Sequence, residues 1–128
     1  MQHAEIINAC DAKLRRDGIA GLTAVERTIA LCSIAGFEVD LGGVAAFFHN
    51  SSGDLSHEAV EALLEIGATQ QAIAIQTGRD LLKNSSWRAL VAEDAFEPLT
   101  QQFHSDDRDV FSRLCEYIEA HASELAVT

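Results

Sequence analysis

A chain of 128 residues that is 48% apolar and has one proline holds enough hydrophobic material for one ordinary core, which excludes a disordered acidic tail. Twenty acidic against nine basic residues leave a net charge of −11, which argues against direct nucleic-acid binding and for a basic partner or plain solubility. No apolar run is expected to reach the length of a bilayer span, and the opening MQHAEIINACDAK has no basic leader, so a cytoplasmic protein without a membrane partner is expected. Cys10, Cys32 and Cys115 lack a CxxC pairing and fall on apolar stripes, which predicts buried thiols.

In chain order, Ile6, Ile7, Cys10 and Leu14 recur at helical spacing and Gly18 supplies a stop, so a first helix is predicted over 4–17. Thr23 and Glu26 form a capping box. The helix they open, AVERTIALCSIAGF, is apolar on nearly every side and is predicted to be the central, buried one. Gly42 and Gly43 interrupt helicity, VAAFFHN resumes it, and Asn50 to Ser56 reads as a loop. Ser56 is expected to cap the next helix, with Val60, Leu63 and Leu64 inward and Gly67 as its stop. Thr69 is expected to cap QQAIAIQTGRDLLK, and a short helix follows around Trp87, Leu90 and Val91. Pro98 suits the first turn of a helix carrying Leu99 and Phe103. A long terminal helix carries the stripe Phe111, Leu114, Cys115, Ile118, Ala122 and Leu125, with Asp106, Asp107 and Asp109 at its positive end. No period-two segment stands out, so residues 1–128 are predicted to be one all-α domain of about seven or eight helices around a buried central helix.

The stretch FEVDLGGVAAFFHNSSGD concentrates the unusual residues. It is no phosphate loop, because it lacks the GxxxxGK[ST] and GxGxxG patterns and no Lys or Arg lies between Arg27 and Arg79. It reads as a corner: Gly42 and Gly43 permit close approach or a positive φ, and Phe47 and Phe48 cover the gap. Glu38 or Asp40 is expected to accept from backbone amides opened there. His49, Asp54, His57 and Glu58 are the best candidates for chemistry, as a small-molecule or metal site, but no HExxH or two-cysteine pattern accompanies them. Ser51 and Ser52 lack a GxSxG context, and Cys32 has only aliphatic neighbours. No catalytic residue, metal or cofactor is therefore expected, and a non-enzymatic protein is.

Charge is unevenly placed. Residues 38–78 hold six acids and no Lys or Arg, and residues 89–128 hold nine acids against Arg108 and Arg113. Glu58, Glu61 and Glu65 share one helical face, at a spacing along the axis of the same order as phosphates on a DNA strand. The same stripe also suits an ordinary solvated face.

The run from Phe37 to Ala68 resembles the signature of a bacterial domain family named after a DNA-mimic protein, roughly E-V-x-N-G-G-F-x-Q-F-F-x-N-S-S-G-D followed by an acidic helix ending in I-G-A. The match uses Glu38, Val39, Gly42, Gly43, Phe47, Phe48, Asn50, Ser51, Ser52, Gly53 and Asp54, and departs at Leu41, Val44 and Ala46. The resemblance implies an all-α fold and surface carboxylates that imitate a DNA backbone to occupy a DNA-binding protein. The expected partner is then a basic protein, a DNA-binding regulator under that resemblance, engaged through Asp54, Glu58, Glu61, Glu65, Asp106, Asp107 and Asp109, with a homodimer as a further expected assembly. A basic toxin neutralised by an immunity-type protein is an alternative with the same electrostatics.

Overall fold

The structure, a computed structural model, describes residues 2–125. The side chains of Ser51 and Ser52, named above in the corner motif, lie outside the described parts. Seven α-helices follow one another: α1 His3–Asp17, α2 Ala24–His49, α3 Ser56–Glu65, α4 Thr69–Leu82, α5 Trp87–Ala92, α6 Glu97–Phe103 and α7 Val110–Ala120. Short 3₁₀ turns stand at Ile19–Gly21, Ser51–Leu55 and Ala122–Glu124, and no strand occurs among the described residues.

α2 is the centre. Thr23 accepts from the Glu26 amide while Glu26 reaches back to the Thr23 amide, so the predicted capping box opens it. Ile29, Ala30, Leu31 and Cys32 are buried almost completely, and α1, α3, α6 and α7 all pack on this helix. Lys13 of α1 pairs with Glu26 at 2.9 Å, which fixes the first helix to the start of the second. The sequence reading ended the central helix too early. It runs on through Glu38 and Asp40, so α2 reaches the length and apolarity that a bilayer span requires, contrary to expectation. A buried central helix meets the same criterion.

The glycine pair breaks this helix without ending it. Gly42 sits at φ −147°, ψ 16° and Gly43 at φ 77°, ψ −178°, so the chain turns and then resumes as a second limb from Val44 to His49. The amide of Val44, freed by the break, donates to the Thr100 hydroxyl at 2.9 Å, and that hydroxyl donates to the Phe96 carbonyl at 3.2 Å. A Cβ on Gly43 would stand 2.9 Å from Thr100 Oγ1, so glycine is demanded by both dihedral and space. The acceptor at this corner is thus Thr100, not Glu38 or Asp40. A hydroxyl on the facing helix reaches the buried amide, whereas Glu38 accepts from the Asn50 side chain and Asp40 is exposed and faces His104 at 2.8 Å.

Beyond the break, Phe47 is fully buried, and Phe48 lies edge-on to it and stacked on Phe96. Gly78 of α4 leaves room for Phe48: a Cβ there would come within 2.4 Å of the ring. Trp87 donates its indole N–H to the Ala45 carbonyl at 2.9 Å and stacks on His49, so α5 clamps the same limb. The corner reading of Gly42, Gly43, Phe47 and Phe48 matches this packing. Gly53 belongs to it too, because a Cβ there would meet the Phe48 carbonyl at 2.9 Å.

Several local expectations change. α3 turns Ala59, Ala62 and Leu63 inward and leaves Leu64 52% exposed, because alanines allow closer approach to α2 and α4 than a leucine pair would. Ser56 is the first residue of α3, and its buried hydroxyl accepts from Arg79 instead of capping. Thr69 is likewise inside α4, whose N-cap is Ala68. α7 ends at Ala120, short of Ala122, and buries Val110, Leu114, Tyr117 and Ile118 while Phe111 is 54% exposed. Cys10 and Cys32 are buried and burial pushes both thiols up, Cys10 to about 11, but Cys115 is only half-buried.

Thr100→Val keeps the shape of the corner and strands the Val44 amide, so it is expected to cost about 1–3 kcal/mol in urea unfolding. Gly78→Ala forces the Phe48 ring to move and is expected to cost a similar amount, about 1–3 kcal/mol. A neutral result for Thr100→Val would show that the bend is held elsewhere.

Candidate functional site

The acidic residues separate into those used inside the protein and those turned outward. Asp109 is internal to the fold's wiring: it is the N-cap of α7 and accepts from the Ser112 amide at 2.8 Å, which holds its carboxyl below its usual range. Asp106 is held low chiefly by the Arg108 amide, and also by Arg113, whose guanidinium lies 2.9 Å away, and by Gln71. Of the predicted terminal cluster, only Asp107 is exposed and without such a role. Asp106 and Asp109 therefore carry structural roles in addition to the partner contact expected of them. The positive end of α7 and a nearby arginine claim them first.

On α3 the predicted acidic face forms, with a twist. Glu58, Glu61 and Glu65 border one cleft with Arg27, Thr28, Leu31 and Tyr117. Glu58 is half-buried, and its Oε2 is buried without a hydrogen-bond partner among the described residues. Glu61 and Glu65 are exposed, and Asp54 is exposed just before the helix. None of these three is ion-paired to Lys or Arg among the described residues; Glu61 has only His57 at 3.8 Å. Arg27 belongs to this cleft although it is 31 residues before Glu58 in sequence, because α2 and α3 pack side by side. The span 38–78 lacks cations in sequence, but its acidic face does not lack one in space.

The two acidic zones meet near the end of α3. The Arg113 guanidinium lies close to Gly67 and reaches Asp106, so a cation stands at the junction. A continuous carboxylate track from α3 to Asp106 is therefore interrupted.

The candidates for chemistry do not converge. His49 stacks on Trp87 with ring centroids 4.4 Å apart, while His57 faces Glu61. No group of three or more His, Cys, Asp or Glu residues placed to hold a metal occurs among the described residues.

Residues 20–121 match the model of the family described as DMP19-like protein. The chain belongs to the DMP19-like family. No curated protein matches it, and no solved structure does. The matched span begins before α2 and ends after α7, so it takes in the glycine break and the acidic helix but leaves out α1.

Sequence reading missed Arg27, Thr100 and Gln71. Arg27 and Thr100 act across distant helices, and glutamine at position 71 looks like one of several surface amides until burial is known. The Asp109 cap stabilises fully above about pH 4 and fades as pH falls through the depressed carboxyl value. Asp109→Ala is expected to lower stability by about 1 kcal/mol at pH 7, with the deficit shrinking toward pH 3. Asp107→Ala is expected to leave thermal unfolding unchanged at both pH values.

Proposed function

We propose that this chain is a non-enzymatic cytosolic interaction protein whose α3 acidic face engages a basic partner, a DNA-binding regulator whose DNA site it occupies. The observation that carries the reading is the pair Glu61 and Glu65, exposed on α3, with Asp54 exposed in the turn before it and no Lys or Arg paired to any of the three among the described residues. Carboxylates that stabilise a fold find cations or amides, as Glu26, Asp106 and Asp109 do. These three offer their charge outward.

Spacing supports imitation of a backbone. Glu61 and Glu65 are about 6 Å apart along the helix axis. Every second phosphate of one DNA strand is about 6.8 Å apart along its own axis. The net charge of −11 adds a long-range field that speeds encounter with a basic surface and repels nucleic acid itself. The resemblance to a family named after a DNA-mimic protein points the same way. Asp107 is a candidate for the edge of the same contact. Glu58 contributes less than its position in sequence suggests, since one of its oxygens faces inward.

The test begins with capture of partners from host lysate at low salt, followed by titration of the purified partner. The double change Glu61→Lys with Glu65→Lys is expected to weaken binding at least about ten-fold, roughly 1.4 kcal/mol, and duplex DNA is expected to compete. Arg27→Ala removes a positive charge from the same cleft and is expected to tighten binding at low salt. Unchanged affinity in the double variant, or binding indifferent to salt, would sink the acidic-face reading.

A further inference from the structure

A second cleft lies away from the α3 acidic face, where α1, α2, α4, α6 and α7 converge. It encloses about 310 Å³, at the lower end of the size of small-molecule sites. Ile7, Gly36, Phe103, Val110 and Leu114 make its walls apolar. At Gly36 α2 approaches α7 closely, since a Cβ there would touch Val110 at 3.4 Å. Two large rings border the opening: Phe37, 64% exposed, on α2 and Phe111, 54% exposed, on α7. Each is more accessible than a phenylalanine serving only the core.

Polar residues make up about half of the lining. Gln71 lines it from α4 and is among the most buried side chains of the protein, at 1% exposure. Asp106, whose carboxyl this side-chain amide helps to hold low, lies beside it, and the other end of the amide is Oε1. That oxygen is buried and accepts from no donor among the described residues. A buried amide oxygen without a donor is unfavourable, and a ligand N–H would relieve it. Asp40, Asp106 and Asp109 also line the cleft; His104 faces Asp40, and Arg113, outside the lining, pairs with Asp106 at 2.9 Å, so the carboxylates still outnumber these two cationic groups. The field therefore favours a cation over an anion.

We infer that this cleft binds a small hydrophobic amine, its apolar body between Phe37 and Phe111 and its N–H groups directed to Gln71 Oε1 and the surrounding carboxylates. The enclosed volume suits one such molecule, and charge complementarity selects the amine over an acid of the same shape. The site is independent of the α3 acidic face.

Tryptamine and indole-3-propionate, matched in ring and differing in charge, serve as probes in calorimetric titrations of the full chain. Saturable one-to-one binding of tryptamine, at least ten-fold tighter than of the acid, is expected. Phe37→Ala, at an exposed position that leaves the core intact, and Gln71→Leu are each expected to weaken tryptamine binding at least ten-fold. Should Gln71→Leu fail to fold, Phe37→Ala decides. The Glu61→Lys, Glu65→Lys double variant is expected to bind tryptamine as the parent chain does, so failure here and failure of the partner reading are separable. Absence of saturable binding, equal affinity for the acid, unchanged affinity in Phe37→Ala, or loss of binding in the double variant would each overturn the assignment.

Discussion

The break in α2 at Gly42 and Gly43 is the constraint on which the rest of the fold depends. A 26-residue helix with no break would drive its last two turns out of the domain. The positive φ of Gly43 bends it, and the freed Val44 amide is satisfied by Thr100 across the core. With the bend fixed, Phe47 and Phe48 enter the space against α4 and α6, Trp87 clamps the second limb, and the 3₁₀ turn at Ser51–Leu55 delivers α3 beside the first limb. The position of the acidic face is thus tied to how this bend is held.

Once the helices are placed, local chemistry decides what each carboxylate does. A backbone amide at a helix start or a neighbouring cation holds Glu26, Asp106 and Asp109 ionised and in one geometry. Glu61 and Glu65 have no such neighbour, and exposed charge of this kind contributes little to stability while shaping the field around the protein. The same total charge thus serves two ends, and only the outward share is available to a partner. Arg27 and Arg113, placed at the edges of the acidic surface, limit how far that share extends.

Much of this was legible from residue order. The Thr23–Glu26 box, the central helix, the glycine corner with its phenylalanine pair and the common face of Glu58, Glu61 and Glu65 all follow from local spacing. The misreadings share a cause: they required knowledge of a distant neighbour. Leu64 and Phe111 fit an apolar stripe by period, but alanines on α3 and the approach of α2 to α7 at Gly36 choose a different face. Ser56 has the chemistry of a cap and was claimed by Arg79 on another helix. Asp106, Asp107 and Asp109 were legible as carboxylates at the start of α7, but the pairing of Asp106 with Arg113 depends on how that helix begins. Gln71 gives no sequence signal, since its burial beside Asp106 is a property of packing alone.

The Thr100–Val44 hydrogen bond also carries an entropic cost set by the length of chain it closes. It joins residues 56 apart, and the chain between them contains all of α3, α4 and α5. Closing a loop of that size requires the entropy of the intervening chain to be surrendered before the contact returns anything. Helix α2 is local up to the glycines, whereas its bent form is held by a residue of α6. The acidic helix lies inside that loop, so the position of α3 is tied to a contact whose closure carries the entropy of the whole intervening chain.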